Sequence, residues 1–168
     1  SGVPVVMMDR RKLTKLAESE NHQGAAAEIE PYKTVSLEEL IQNKKGEYGF
    51  LIMLDEIEDP HNLGAIIRCA DGAGAHGVIV SKRHCPVIGQ TVFKSSAGAA
   101  SYVPIAKVAN IASAIDELKE MGVWTFAAEA DGVHYKNADF KGAVAIVLGS
   151  EGEGVSRLVR EKCDVYSG

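Results

Sequence analysis

The chain has 168 residues, 46% hydrophobic and 24% charged, which is enough to bury one sizeable core and indicates a globular protein. Its formal net charge of -5 argues against a protein that holds nucleic acid by bulk electrostatics alone, although local basic patches are compatible with it. The longest apolar run, 143–148, is far too short to cross a bilayer, and no charged-then-apolar leader opens the chain. We therefore expect a cytoplasmic protein with no membrane partner.

The three cysteines argue against two further classes of protein. Cys69, Cys85 and Cys163 are widely separated and show no paired spacing, so neither a disulfide framework nor a zinc site is expected. None of the histidines has the spacing of a metal-ligand pair. The sequence predicts buried thiols and no metal.

The first part of the chain contains short predicted elements. Apolar spacing predicts a strand over 3–8, a helix over 10–18 and a second strand over 25–30. The sequence Ser36-Leu-Glu-Glu39 is a capping box, which predicts a short helix that ends at 44–46. A strand and a helix followed so soon by a turn are typical of the tail of a larger domain.

From residue 49 onward strands and helices alternate, which indicates the α/β class. Four apolar, partly β-branched runs are typical of a buried parallel sheet, and they cover 50–54, 77–81, 123–128 and 144–149. Between them lie a predicted helix that begins at Asn62, a segment at 90–100, and a predicted helix from 110 to 121 with Asn110 as its cap.

The stretch from Asp55 to Arg68 joins the first of these strands to a helix. Pro60 and its acidic neighbours are turn residues, and Asn62 is the expected N-cap. Ligands of open α/β sheets bind at the carboxyl ends of strands, so this segment is placed for chemistry. An arginine among apolar helix residues usually has an anionic partner, although helix capping by Asn62 and surface pairing of Arg68 remain the plain structural interpretation.

A second stretch, 147–154, runs from a strand into a turn with three glycines. Three glycines and Glu151 exceed what a turn requires, and glycine lets a ligand approach the backbone closely. No dinucleotide fingerprint or P-loop is present. The small residues in 94–100 and 127–132 are compatible with an adenosine-sized pocket or with tight packing, and the sequence leaves both open.

Taken together, the sequences at 59–70, 94–98 and 148–164 resemble the SpoU (TrmH-like) RNA ribose 2′-O-methyltransferases. The resemblance implies a SPOUT fold, in which a parallel sheet carries a carboxyl-terminal trefoil knot that binds S-adenosylmethionine, and it implies a homodimer. It implies three catalytic residues: Asn62, Arg68 and Glu151. It also implies that the methyl donor lies against five residues, with its adenosine near the first two: Ala127, Ala128, Gly149, Ser150 and Gly152.

The same resemblance implies a domain organisation. Residues 1–33 are expected to be the end of a small α/β RNA-binding domain and its linker, and 34–168 to be the methyltransferase domain. A third family motif would follow 165–168, so we expect this sequence to lack the segment that completes the knot.

The implied reaction moves a methyl group from S-adenosylmethionine to a ribose 2′-hydroxyl, and a guanosine of 23S ribosomal RNA is the expected target. A transfer RNA substrate and a non-catalytic RNA-binding module of the same fold are the alternatives. The pKa of a guanidinium exceeds about 12, so Arg68 is not expected to act as a free base. It is expected to bind a phosphate and to stabilise negative charge on the 2′-oxygen. Asn62 and Glu151 would orient the arginine or relay its proton.

Overall fold

The computed structural model describes residues 2–42 and 49–167, and the chain forms two compact units, Ser1–Pro31 and Tyr32–Gly168. In the first unit, α1 (Arg10–Ala17) begins at Asp9, whose carboxylate accepts a hydrogen bond from the backbone of Lys12 at 3.0 Å. The strands expected at 3–8 and 25–30 do not form. Among residues 2–42 and 49–167 no strand pairs with either segment, and an apolar side chain such as Met7 is 91% exposed.

The second unit alternates strands and helices, as the sequence predicts. Its elements are α2 (Leu37–Gln42), β1 (Phe50–Leu54), α3 (Pro60–Gly72), β2 (Gly77–Ser81), α4 (Gln90–Ser95), β3 (Ile105–Val108), α5 (Ile111–Glu120), β4 (Trp124–Val133), β5 (Val144–Leu148), α6 (Arg157–Lys162) and β6 (Val165–Ser167). Short 3-10 turns cover Ala99–Ser101 and Tyr135–Asn137. The strands form one six-stranded sheet in the order β3-β2-β1-β5-β4-β6, and every pairing is parallel. The predicted parallel α/β class is confirmed.

Helices cover both faces of this sheet. On one face Leu51, Met53 and Ile79 pack with side chains of α2, α5 and α6. On the other face Leu54 and Val80 pack with side chains of α3 and α4. Successive strand residues point to opposite faces, so a sheet covered on both sides needs apolar residues at every position, which explains the continuous runs in β1 and β2.

The helix starts show which capping predictions hold. Ser36 and Glu39 exchange the two hydrogen bonds of a capping box, at 2.8 and 3.1 Å, and Asn110 caps α5 through Ser113. The predicted end of α2 at 44–46 lies outside the described residues. The prediction that Asn62 caps α3 is wrong: the cap is Asp59, whose carboxylate accepts from the backbone of His61 and Asn62. Proline, which lacks an N–H, suits the first helical position, so the acidic residue before it becomes the cap.

Across the part of the chain that the structure describes, no helix is both long enough and apolar enough to span a membrane.

Candidate functional site

The sheet order places β1 beside β5, and the chain leaves these two strands in opposite directions. From β1 it passes through α3 to β2 on one side, and from β5 it passes through α6 to β6 on the other. In open α/β sheets the crevice at the carboxyl ends of such strands is the usual ligand site. Leu54 and Leu148, the last residues of the two strands, are register partners. The two loops singled out in the sequence therefore start side by side.

Asp55 holds these two loops together. Its backbone N–H donates to the carbonyl of Leu148 at 2.9 Å, and its carboxylate accepts from the backbone N–H of Ser156 at 2.8 Å. Asp55 is 6% exposed. In the sequence Asp55 is only the start of a loop, because its partner Ser156 lies far along the chain and leaves no local signal.

The turn after β5 is closed by its own backbone. Ser150 and Gly154 exchange two backbone hydrogen bonds, at 3.1 and 2.9 Å. A Cβ on Gly149 would lie 1.9 Å from the backbone of Gly154, and Gly154 itself has a φ of +70°. Two of the three glycines are therefore required by the turn itself. A Cβ on Gly152 would meet nothing within 4 Å, so open space lies over this residue.

Glu129, at the carboxyl-terminal part of β4, lies against this turn. One of its carboxylate oxygens, Oε2, is 3.6 Å from the position that a Cβ on Gly154 would occupy. The other, Oε1, is buried and has no hydrogen-bond partner in the part of the chain that the structure describes. In the sequence the stretch 127–132 stands out for its small residues and not for this side chain. The sequence signal that could have identified Glu129 is an acidic residue among small residues, directly after the predicted strand at 123–128.

The two alanines expected near the adenosine differ in what they expose. Ala127 is fully buried, backbone included, whereas Ala128 is partly exposed, so of the two only Ala128 presents a surface that a ligand can contact.

The three expected catalytic residues are not joined to one another. Asn62 is partly buried in the first turn of α3, whereas Arg68 and Glu151 are exposed. Arg68 lies six residues beyond Asn62, which at 1.5 Å per residue is about 9 Å along the helix axis. Among the described residues, no hydrogen bond or ion pair links any two of the three, and Arg68 has no anionic partner. The fold brings their loops together but does not bring these side chains into contact.

A cavity of about 270 Å³ lies at the same edge of the sheet, on the side of β1 and β2. Polar side chains contribute much of its lining, namely Asp55, Glu56, Ser81, Arg83, His84, Asn110 and Ser156. None of the predicted site residues lines it. At its rim His84 Nδ1 lies 2.9 Å from Glu58, and this hydrogen bond raises the pKa of His84.

The cysteines are buried to very different degrees. Cys163 is buried, and burial, reinforced by the charge of Asp164, raises the pKa of its thiol to about 12. Cys85 is half-buried and Cys69 is exposed on α3, so the expectation of buried thiols is wrong for Cys69. No group of three or more possible metal ligands occurs among residues 2–42 and 49–167.

Two family models match the chain. The model of the SpoU rRNA methylase family matches residues 49–167, and the model of the RNA 2′-O ribose methyltransferase substrate-binding domain matches residues 1–35. The first match alone covers more than half of the chain.

Relatives from other organisms are similar along nearly the whole chain. A protein of Staphylococcus haemolyticus assigned to the TrmH family of tRNA/rRNA methyltransferases is 47% identical over 165 residues, which are 96% of this chain and 66% of that protein. The Bacillus subtilis protein YacO, assigned to the same family, is 40% identical over 166 residues, with 97% and 66% coverage. The chain thus spans just under two thirds of the length of these relatives.

Solved structures show the same architecture. The SpoU methyltransferase AviRb from Streptomyces viridochromogenes, in complex with the cofactor AdoMet, matches with a TM-score of 0.70 at 25% identity, covering 77% of this chain and 51% of that one. A TrmH-family protein from Porphyromonas gingivalis matches with a TM-score of 0.65 at 28% identity, with 74% and 51% coverage. The chain belongs to the SpoU rRNA methylase family and has the parallel sheet of the SPOUT fold.

Proposed function

We propose that this protein is an RNA methyltransferase that transfers the methyl group of S-adenosylmethionine to a ribose 2′-hydroxyl, with a guanosine of 23S ribosomal RNA as its target. The observation that carries the proposal is the pair of hydrogen bonds by which Asp55 joins the loop after β1 to the glycine turn after β5. These two loops contain the segments that resemble the family's first and second motifs. A transfer RNA target is the alternative, since the relatives are assigned to a family of tRNA and rRNA methyltransferases.

The residues around the glycine turn fit a polar methyl donor. S-adenosylmethionine supplies a methyl group on a positively charged sulfur when it is bound. Gly149, Ser150 and Gly152 would contact the donor through the turn, and the backbone at Ala127 and Ala128 would lie near the adenosine. The open space over Gly152 and the unpaired carboxylate oxygen of Glu129 support this fit, because a ligand with hydrogen-bond donors complements both.

Binding of the RNA that accepts the methyl group depends on Arg68. Its guanidinium is exposed and, in the described part of the chain, has no acidic partner, so it is available to bind a phosphate next to the target ribose. In that position it would also stabilise negative charge that develops on the 2′-oxygen. Asn62 and Glu151 would orient the RNA and the guanidinium.

The wider organisation follows the resemblance. Residues 1–33 would be the end of an RNA-binding domain and linker, and 34–168 the methyltransferase domain, with two copies forming a homodimer in the cytoplasm. The match of residues 1–35 to the substrate-binding model supports the first assignment. Sedimentation equilibrium measures the oligomeric state directly.

Methylation assays on this protein test the function. With labelled S-adenosylmethionine, 23S ribosomal RNA should gain a 2′-O-methyl group and transfer RNA should not. Arg68→Ala should lower kcat/KM by about 100-fold or more while leaving the Kd for S-adenosylhomocysteine unchanged. Arg68→Lys should restore little activity, because a lysine cannot grip a phosphate with two parallel hydrogen bonds.

Arg157→Ala is the matched control, because Arg157 is an exposed arginine that pairs only loosely with Glu161, at 3.7 Å. Near-normal methylation by Arg68→Ala would contradict the role of Arg68. The non-catalytic alternative instead predicts RNA binding with no binding of S-adenosylmethionine, which calorimetric titration distinguishes.

A further inference from the structure

Glu129 carries an unexplained carboxylate at the edge of the glycine turn. Its Oε2 lies 3.6 Å from the position that a Cβ on Gly154 would occupy, and its Oε1 is buried with no hydrogen-bond donor among the described residues. Neither the capping of a helix nor an ion pair with another described residue accounts for this side chain. The neighbouring turn is closed by its own backbone, since Ser150 and Gly154 bond to each other and not to Glu129.

A buried carboxylate oxygen with no hydrogen-bond partner destabilises the folded protein. An ionised carboxylate is only an acceptor, and most buried polar atoms of native proteins have a partner. Leaving a buried acceptor unsatisfied destabilises the folded protein, because the lost hydrogen bonds to water are not replaced. The site is therefore complementary to a group that brings O–H or N–H donors to the part of β4 beyond Ala127, the last residue that pairs with β5.

We propose that the carboxylate of Glu129 binds the ribose hydroxyls of the adenosine in the methyl donor. This inference rests on the proposed function, which places the adenosine near the backbone after Phe126 on the same strand. Glu129 follows Phe126 by three residues, a distance of about 10 Å along a strand. The two neighbouring hydroxyls of a ribose are donors, and an acidic side chain near the end of a parallel strand recognises a ribose hydroxyl in dinucleotide-binding folds.

Calorimetric titration with S-adenosylhomocysteine tests the role of Glu129. Glu129→Ala should raise the Kd by about 10-fold or more, since a hydrogen bond to a charged group is lost. Glu129→Gln should have a smaller effect, because the amide keeps one acceptor oxygen. Glu153→Ala is the matched control: Glu153 is an exposed glutamate of the same turn, and its removal should change the Kd by less than about 2-fold.

A ligand without the hydroxyls identifies the group that Glu129 contacts. The 2′,3′-dideoxy analogue of S-adenosylhomocysteine should bind the unmodified protein about 10-fold or more weakly than the parent compound, and Glu129→Ala should bind the two compounds equally. If the analogue loses the same factor in both proteins, the hydroxyls are not the partners of Glu129 and the inference is wrong.

Other outcomes are also distinguishable. A segment of the protein, and not the ligand, could supply the hydrogen-bond donor to Glu129. In that case Glu129→Ala should lower the free energy of unfolding measured without ligand, and the ratio of the Kd of the analogue to the Kd of the parent compound should be the same in both proteins. That result would overturn the inference. If the unmodified protein binds neither compound, the proposed function itself fails and this inference fails with it. Urea unfolding of each variant shows whether its fold is intact, and Glu129→Gln serves where Glu129→Ala does not fold.

Discussion

At the scale of single residues, Asp164 connects α5, β4 and the beginning of β6. Its Oδ1 lies 2.8 Å from the Lys119 ammonium, and its Oδ2 accepts from the backbone N–H and the hydroxyl of Thr125 at 2.9 and 2.8 Å. Partial burial acts to raise the pKa of Asp164, but the hydrogen bonds from Lys119 and Thr125 outweigh it and hold the pKa below its usual value.

This arrangement predicts an acid-sensitive contribution to stability. Because the pKa is lower in the folded state, the stabilisation is present above the unfolded pKa of about 3.9 and is lost as the pH falls through the folded pKa. Asp164→Asn should lower the free energy of unfolding by about 1–2 kcal/mol at pH 7 and by progressively less below pH 4, measured by urea unfolding.

Asp116→Asn is the control for this substitution, because Asp116 forms an ion pair with Lys162 in which both side chains are at least 40% exposed. Its loss should cost less than about 1 kcal/mol. If the two substitutions lowered the free energy of unfolding equally at pH 7, the hydrogen bonds of Asp164 would stabilise the fold no more than an exposed ion pair does, which contradicts the prediction.

At the scale of secondary-structure elements, α3 and α4 approach each other closely at Gly64. A Cβ on Gly64 would lie 1.9 Å from the hydroxyl oxygen of Ser95 and 2.8 Å from its Cβ. Ser95 also donates to the carbonyl of Pro60 at 3.2 Å, and Ser96 is fully buried. The small residues at 95 and 96 therefore lie close against α3, which favours the packing interpretation of this stretch.

This contact predicts a large difference between two identical substitutions in one helix. Gly64→Ala should destabilise the protein by about 1–3 kcal/mol, because the new methyl group collides with α4. Gly72→Ala, at the end of the same helix, meets nothing within 4 Å and should be neutral or slightly stabilising, because alanine favours the helix. If the two variants had equal urea midpoints, α3 and α4 could move apart with no loss in the free energy of unfolding, and the prediction would be wrong.

At the scale of the whole molecule, the large buried clusters belong entirely to the second unit. Neither cluster of buried apolar residues contains a side chain from Ser1–Pro31. The α2 helix, in contrast, contributes Leu37 and Leu40, which are 6% and 0% exposed and pack with the sheet.

Removing residues 1–31 should therefore leave the stability of the remainder almost unchanged. A 32–168 fragment should unfold in urea with a free energy within about 1 kcal/mol of that of the whole chain, whereas a 50–168 fragment should lose several kcal/mol with Leu37 and Leu40. If 1–33 serves RNA binding as proposed, the 32–168 fragment should also bind RNA more weakly. Equal affinity of the two proteins for RNA would contradict that assignment.

The sequence by itself predicted those elements whose signals are local. The capping box at Ser36, the Asn110 cap and the apolar runs of β1, β2 and β5 are all confirmed. Such signals involve residues within four positions of each other, so they do not depend on the rest of the fold. The family resemblance likewise predicted the SPOUT sheet from short motifs.

Tertiary structure alone decided which segments pair and which side chains meet. The short strands β3 and β6 exist because β2 and β4 pair with them, while the apolar segment at 3–8 has no such neighbour and forms no strand. The hydrogen bonds of Asp55 and the position of Glu129 follow from the placement of β1, β5 and β4 side by side. Neighbours in a parallel sheet are separated by long connections, so no local pattern records their contacts.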